Sequence, residues 1–406
     1  MINAFGNYIG FTQPTQPLII DGFIQNINID DQTAYLIINY ESGNANPLNG
    51  TGSFRFDTPK EIEFFIVGAG GRGGQARTPW QPNDPVNFGA GGGGGGIASG
   101  SLIIEKDKEY IAIAGNPNVI GERGGDSFLK GPSISGGGPR GIGGGNGGNV
   151  FLGVAPGIGS GSSGGCGGGS GYSQRASGTD IDSLFSSGEP GGPGGNVQWL
   201  AIDQYVNYLF PPDIVGNNGN GLGYYNGSGS IAIPSVSGSD YASALNSDPS
   251  KNYLFGAYVD IALPAGGVGA GATNTTNQPG TSSISVGTVG SYPFFNITSD
   301  GKGGNGLLSS ITGTPTYYAG GGAALGVATN NETSPGNQLA TGSWSAGNIG
   351  GLGGGGSATG SYGLFGVGGN PNGVDGLGGG AAPGGIGGSG VVIIRYSRNQ
   401  QDLIRS

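Results

Sequence analysis

Histidine is absent from this chain, cysteine and methionine occur once each, and only 10% of the residues are charged. Without histidine there is no Ser-His-Asp or Cys-His catalysis, and the usual zinc sites are excluded. A lone Cys166, set in Gly164-Gly165-Cys166-Gly167, forms no intrachain disulfide and reads as a structural residue. A loop-rich secreted domain would normally carry a disulfide framework. No apolar run reaches membrane-spanning length. No charged segment followed by an apolar one opens the chain, so no secretory signal is read. The expectation is a protein made in a cytoplasm and exported, if at all, as part of a particle. Basic residues are scarce: 15 against 25 acidic ones, a net charge of −10. Between residues 176 and 394 only Lys251 and Lys302 are basic. No basic stripe exists to neutralise phosphates, which excludes nucleic acid and anionic membrane as partners. Helical periodicity is nearly absent, with short helices expected only at 179–185 and 239–245. Hydrophobic content is 34%, too little for a large oily core, so backbone hydrogen bonding or subunit contacts must carry much of the stability.

What is present is glycine, 97 residues of 406, unevenly placed. Residues 61–195 hold 43 and residues 265–390 hold 40, whereas the intervening 196–264 hold 8. Ordering glycine costs more backbone entropy than ordering any other residue, so it is used where a missing Cβ is required. A flexible linker would have no use for the isolated apolar residues in Gly141-Ile142-Gly143, Gly157-Ile158-Gly159, Gly351-Leu352-Gly353, Gly376-Leu377-Gly378 and Gly385-Ile386-Gly387. No sustained Gly-X-Y period supports collagen. The composition points instead to an ordered lattice. Polyglycine adopts a left-handed helix of three residues per turn with no internal hydrogen bonds. Several such helices packed side by side pair their amides between segments, as buried amides require. Interspersed Ile, Leu and Val would cap the lattice or plug it onto neighbouring strands. Tight loops on a β scaffold are the rival reading.

The expected fold class is therefore all-β: a glycine-rich β scaffold with polyglycine-II-like packed segments and very little helix. Residues 1–50 form an N-terminal β segment for anchoring or assembly, with Leu18-Ile19-Ile20 before an Asp21-Gly22 turn and a strand at 33–40. Residues 51–195 are the first half of the scaffold. They include a strand at 61–67 that alternates and then turns fully apolar, as when its end is buried. A hairpin-like unit at 100–114 turns at Glu105-Lys106-Asp107-Lys108. Residues 265–397 are the second half, ending in the strand Val391-Val392-Ile393-Ile394-Arg395-Tyr396, and 398–406 are a polar tail. Between the halves, 196–264 form an aromatic-rich insert with seven of the 17 tyrosines. Tyr with Asn, Ser and Gly is the composition of adaptable recognition surfaces, although the same aromatics would also build a small core. Trp199, Tyr205, Tyr208, Tyr224, Tyr225, Tyr241, Tyr253 and Tyr258 are the candidate recognition surface.

Other motifs carry less. Gly68-Ala69-Gly70-Gly71-Arg72-Gly73 has dinucleotide-binding spacing, but Pro79, Pro82 and Pro85 forbid the helix that must follow. Gly124-Gly125-Asp126-Ser127-Phe128 is faintly similar to calcium-binding β-roll repeats but does not repeat. Asp203, Asp213, Asp240 and Asp260 are unpaired in sequence, whereas glycosidase chemistry needs two facing carboxylates. Sequons at Asn49, Asn226, Asn274, Asn296 and Asn331 are expected by chance in a chain rich in Asn and Thr. No catalytic, cofactor-binding or metal site is expected.

Gly52-Ser53-Phe54-Arg55-Phe56 followed by Ile62-Glu63-Phe64-Phe65-Ile66-Val67-Gly68-Ala69-Gly70-Gly71 resembles the opening of the glycine-rich domains of phage tail-fibre and adhesin proteins and giant-virus particle proteins. Gly387-Gly388-Ser389-Gly390-Val391-Val392-Ile393-Ile394-Arg395-Tyr396 resembles their terminal strand. Gly91 to Gly96, residues 100–114 and Gly124-Gly125-Asp126-Ser127 are also similar, so the likeness covers roughly 50–397. The long aromatic insert and the sparser glycine after 265 depart from it. Similar domains occur in animal receptor ectodomains, but the missing signal and cysteines oppose that source. The resemblance implies a stiff scaffold with outward variable loops, and some members are adhesins. The expectation is a non-enzymatic virion surface protein, a tail fibre, spike or fibre component that attaches to a host through the insert. A purely structural minor capsid or extracellular filament subunit is the alternative, and a carbohydrate-active enzyme on a fibre scaffold is a third. Expected partners are copies of itself, other particle proteins and a host surface glycan or protein, without nucleic acid or membrane insertion. Its place is the virion surface after assembly in host cytoplasm, or an extracellular filament. Three structural expectations follow. Gly143, Gly144, Gly354 and Gly355 are buried and bonded to other glycine segments. Residues 62–67 and 391–396 share one sheet. The insert projects from the scaffold.

Overall fold

A computed structural model describes residues 17–22, 24–41, 46, 49–74, 91–117, 123–132, 134, 138–147, 164–168, 303–323, 349–358 and 369–398. It also gives the backbone course of strands at 76–77, 150–151, 157–159, 171–175, 213–215, 258–261, 282–289, 292–299 and 340–344. The described residues contain no helix and are about 41% strand, so the chain is all-β.

Two antiparallel sheets face each other. The larger has six strands in the order Asp213–Val215, Ile97–Ile104, Lys60–Val67, Val391–Ser397, Thr33–Asn39 and Ile24–Asn28. The smaller has five, in the order Leu18–Gly22, Thr51–Arg55, Tyr110–Ile113, Ser127–Lys130 and Arg140–Gly141. Alternate side chains of both meet in one core. Leu36, Ile38, Ile62, Phe64, Ile66, Leu102, Val392 and Ile394 come from the larger sheet, and Phe54, Tyr110, Ala112 and Leu129 from the smaller. Phe54, Phe56, Tyr110 and Tyr396 form a chain of ring contacts with centroids 5.2–6.1 Å apart, the spacing at which offset and edge-on pairs are favourable.

The strands on either side of the glycine blocks pair directly, with Ile62 opposite Tyr396 and Val67 opposite Val391. The change of pattern along Lys60–Val67 now has a cause. Glu61 and Glu63 point outward, and Glu63 lies 3.6 Å from Arg395. Phe65 and Val67 occupy the same face, but there the sheet is covered by the hairpin of Leu307–Ser309 with Thr316–Tyr318 and by Leu377. The end of the larger sheet is thus buried on both sides.

The hairpin reading of 100–114 is corrected. Ile97–Ile104 belongs to the larger sheet and Tyr110–Ile113 to the smaller. Residues 105–109 arch across the core edge, with Asp107 N donating to Phe56 O at 2.8 Å and Glu105 N to the Tyr110 hydroxyl at 3.0 Å. Leu102, Ile104, Tyr110 and Ala112 all need the same interior, and only an arch between sheets lets both strands reach it. Asp21-Gly22 is also such a crossing. Gly22, at φ 90°, ends one edge strand, and Ile24 begins the edge strand of the other sheet.

Candidate functional site: a polyglycine lattice and the end that bears its connections

Several strands of the sandwich run without a break into glycine segments. Val67 leads into 68–74, 91–96 leads into Ile97, Gly141 leads into 142–147, and 385–390 leads into Val391. These segments do not form sheets. They bond to several neighbours at once, and each neighbour recurs every third residue. Along 91–96, Gly93 and Gly96 donate to Gly145 and Ile142 at 2.8 and 2.7 Å. Gly92 and Gly95 donate to Ala381 and Gly378, both at 2.8 Å. Gly93 and Gly96 accept from Gly71 and Gly68 at 2.8 and 3.0 Å. The opposing carbonyls of Gly92 and Gly94 accept from Gly322 and Cys166. A threefold recurrence of neighbours is what a helix of three residues per turn produces. Segment 68–74 repeats it: Gly70 and Gly73 donate to Gly388 and Gly385, while Ala69 and Arg72 accept from Gly144 and Gly147.

Only glycine permits this spacing. A Cβ on Gly92 or Gly95 would fall on the backbone of the 68–72 segment, one on Gly93 or Gly96 on that of 165–167, and one on Gly94 on Ala319. All three directions are closed by backbone. The two halves of the scaffold interleave in this lattice, since 92 bonds to both 322 and 381, and 71 to 93 and 381. Gly143 and Gly144 are buried within it, as expected. Gly354 and Gly355 are half-buried: they lie in an outer layer, where Gly354, at φ 85°, makes a turn. The isolated apolar residues divide. Leu377 plugs onto the larger sheet, whereas Leu352 and Ile386 are exposed on the outside.

The lattice has a near end, where it meets the sandwich, and a far end. The hydrogen-bond levels place each segment between them. Segments 68–74, 142–147, 164–168, 319–323 and 355–358 all run outward, ending beside Gly385, Arg72, Asn146, Gly92 and Asn370 respectively. Consequently the five connections that begin after 74, 147, 168, 323 and 358 all leave from the far end. Near the sandwich, by contrast, the chain reverses tightly at 353–354 and 376–378, where Gly353, Gly354, Gly376 and Gly378 have φ of 69–101°. Ala323, Ala358 and Ala382 form a small apolar nucleus at the far end.

Residues 196–264 lie within the connection that begins after 168. Trp199, Tyr205, Tyr208, Tyr224, Tyr225, Tyr241 and Tyr253 fall outside the described residues, as do the two short helices expected. Tyr258 opens a backbone strand, Tyr258–Ile261, paired with Gly171–Arg175. Asp213–Val215 pairs with Ile97–Ser99 at the edge of the larger sheet, so this part of the insert lies along the scaffold. Asp203 and Asp240 are outside the described residues, and Asp213 and Asp260 lie in these strands. The aromatic composition was the signal for a recognition surface; the common exit of the connections left no sequence signal, because segment direction is set by non-local hydrogen bonds.

Other motifs have structural roles. Gly68 to Gly73 is lattice, not a turn into a helix. The Asp126 carboxylate accepts from Arg123 at 2.7 Å, Arg140 at 3.4 Å and Gly143 N at 3.0 Å, so it locks the lattice to the smaller sheet. Buried Ser127 accepts from Gly115 N at 2.8 Å and donates to Val67 O. Cys166 is buried against the larger sheet. Among the described residues no three His, Cys, Asp or Glu side chains group to hold a metal, and no helix is long and apolar enough to cross a membrane. A cavity of about 190 Å³ beside Asn39 has one carboxylate in its lining, Glu41. Burial pushes the Tyr318 and Tyr396 phenols above their usual range, partly offset by hydrogen bonds, for Tyr396 to Asn26. Comparison with family models, curated proteins and solved structures finds no match.

Proposed function

We propose that the protein is a non-enzymatic surface component of a virus particle, a fibre, tail or spike element that attaches to a host through connections at the far end of its lattice. The observation that carries this reading is the segregation of the chain. At one end is a β-sandwich whose described crossings are tight turns and arches, and five connections leave the other. A lattice whose segments are braced on several sides by backbone hydrogen bonds holds those connections on a stiff base. That lowers the ordering cost a recognition surface bears on binding. The longest connection contains the Tyr-rich insert, whose composition suits stacking on a sugar ring or on an apolar protein surface. The purely structural alternative draws on a different observation, the pairing of Asp213–Val215 with the sheet edge, which ties part of the insert to the scaffold.

Deletion of 217–256 spares both backbone strands of the insert and tests the choice. In particles that still assemble, attachment predicts loss of host adsorption with the melting temperature of the purified protein unchanged. Unchanged adsorption overturns attachment by the insert, and failure to assemble favours the structural subunit.

A further inference from the structure

The outer layer of the lattice presents an ordered apolar face. Gly303 and Gly306 donate to Ile349 and Leu352, which places 303–306 beside 349–352. Val374 donates to Gly354, and Gly373 to Ile386, which continues the layer through 371–376 to 384–388. On these adjacent segments Ile349 is 51% exposed, Leu352 53%, Val374 48% and Ile386 40%. The row extends onto the hairpin that follows 303–306, where Leu308 and Tyr317 are cross-strand partners and both exposed. Ile349 and Leu352 are three residues apart, one turn of the glycine helix, so their side chains repeat at about 9 Å on one side of it. Gly350 and Gly351 lie between them, half-buried and buried against the neighbouring backbone segments, so the two side chains stand alone on the outer side.

We infer that this face is the contact by which two copies of the chain associate. Three features select a second copy as the occupant. The first is charge. The chain carries a net −10, nearly all of it between residues 176 and 394, yet within that span 303–323, 349–358 and 369–390 contain one charged residue, Asp375. Its carboxylate is engaged by Ser389 N at 2.8 Å. A face neutral in both partners is the approach with least repulsion. The second is relief: apolar knobs one turn apart, separated by glycine, form ridges and gaps of matching size. A twofold-related copy presents the same pattern, so its side chains can enter the gaps between these knobs. The third is area. The six side chains expose on the order of 500 Å², at the upper end of a monomer's largest apolar patch. A standard interface takes roughly 800 Å² from each partner, so these side chains supply more than half of that area. The inference concerns the side of the lattice and is independent of what the far-end connections bind.

Sedimentation of the purified full-length chain is the test. A dimer is expected at micromolar concentration and should persist at high salt, since no ion pair holds it. Leu352→Lys with Val374→Lys should weaken self-association on the order of a hundredfold, because each buries an unpaired charge, while far-UV dichroism and melting of the monomer stay unchanged. Should the double variant misfold, Ile386→Lys alone provides the same reading from the edge of the face. A wild-type chain that stays monomeric at high micromolar concentration overturns the inference and leaves the face to a different partner or to the chain's own connections. A dimer that survives the lysines overturns the assignment of this face. Host adsorption by the same variants separates this outcome from that of the attachment reading.

Discussion

Gly95 and Gly376 show how differently two glycines earn their place. At Gly95 φ is ordinary, but a Cβ would fall on the carbonyl of Gly68, and both are backbone held by hydrogen bonds. Nothing there can rotate aside. At Gly376 φ is 76°, and the nearest atom to an added Cβ is Asn39 Oδ1 at 3.4 Å, ordinary contact. Its requirement is conformational alone. We therefore expect Gly376→Ala to cost about 1–2 kcal/mol, the left-handed penalty of an L-residue. Gly95→Ala should cost more than about 3 kcal/mol or prevent folding, since overpacking against rigid backbone lies at the severe end of such changes. Denaturant unfolding of the two variants checks the order, and equal costs would contradict the closed lattice. The need for glycine at 91–96 was legible from run and composition. The half-burial of Gly354 and Gly355 was not, because position within a layer depends on which distant segment lies outside.

At the scale of elements, the closing strand Val391–Ser397 is central to the larger sheet and joins residues far apart in sequence. Its pairing with Lys60–Val67 was readable because each is too apolar to lie open. The crossing between sheets after Gly22 and the arch at 105–109 were not, since a turn signal marks a reversal without saying which sheet receives the next strand. The hairpin covering Phe65 was equally hidden, although the fully apolar end of Lys60–Val67 announced that something must cover it. The strand also sets a pH response. Tyr396 donates to Asn26 Oδ1 at 2.8 Å and so ties the edge strand Ile24–Asn28 to the centre. Burial raises its folded pKa, and that of Tyr318, above the ordinary tyrosine value. The folded chain then holds protons that the unfolded chain releases, so stability is full below about pH 10 and falls as pH rises beyond it. No histidine titrates between pH 5 and 8, which predicts a flat profile at neutral pH. Urea midpoints at pH 7, 9 and 11 should be similar, similar and lower. Tyr396→Phe should reduce the alkaline loss, and an unchanged loss would remove this strand as its source.

At the scale of the whole molecule, the described residues rest on two kinds of burial that differ thermodynamically. The sandwich buries apolar side chains, whereas the lattice buries peptide groups almost without side chains. Exposing apolar surface on unfolding raises the heat capacity and exposing polar surface lowers it. A chain that places so many residues in the lattice should therefore unfold with a small heat-capacity change for its length, below the usual ~12–15 cal/mol/K per residue. The two kinds of burial are also inseparable. Segment 91–96 is bonded to residues near 70, 143, 166, 322 and 380, and it continues directly into Ile97–Ile104, so neither half of the scaffold can be removed without opening the other. Calorimetry of the purified chain should show one cooperative transition for sandwich and lattice together, with that low heat-capacity change. A fragment ending at residue 195, which lacks the closing strand and the 319–323 and 378–382 segments, should show no such transition. A fragment that melts cooperatively by itself, or an ordinary heat-capacity change, would mean that the glycine segments add little to the folded state and that side-chain packing in the sandwich holds the molecule together.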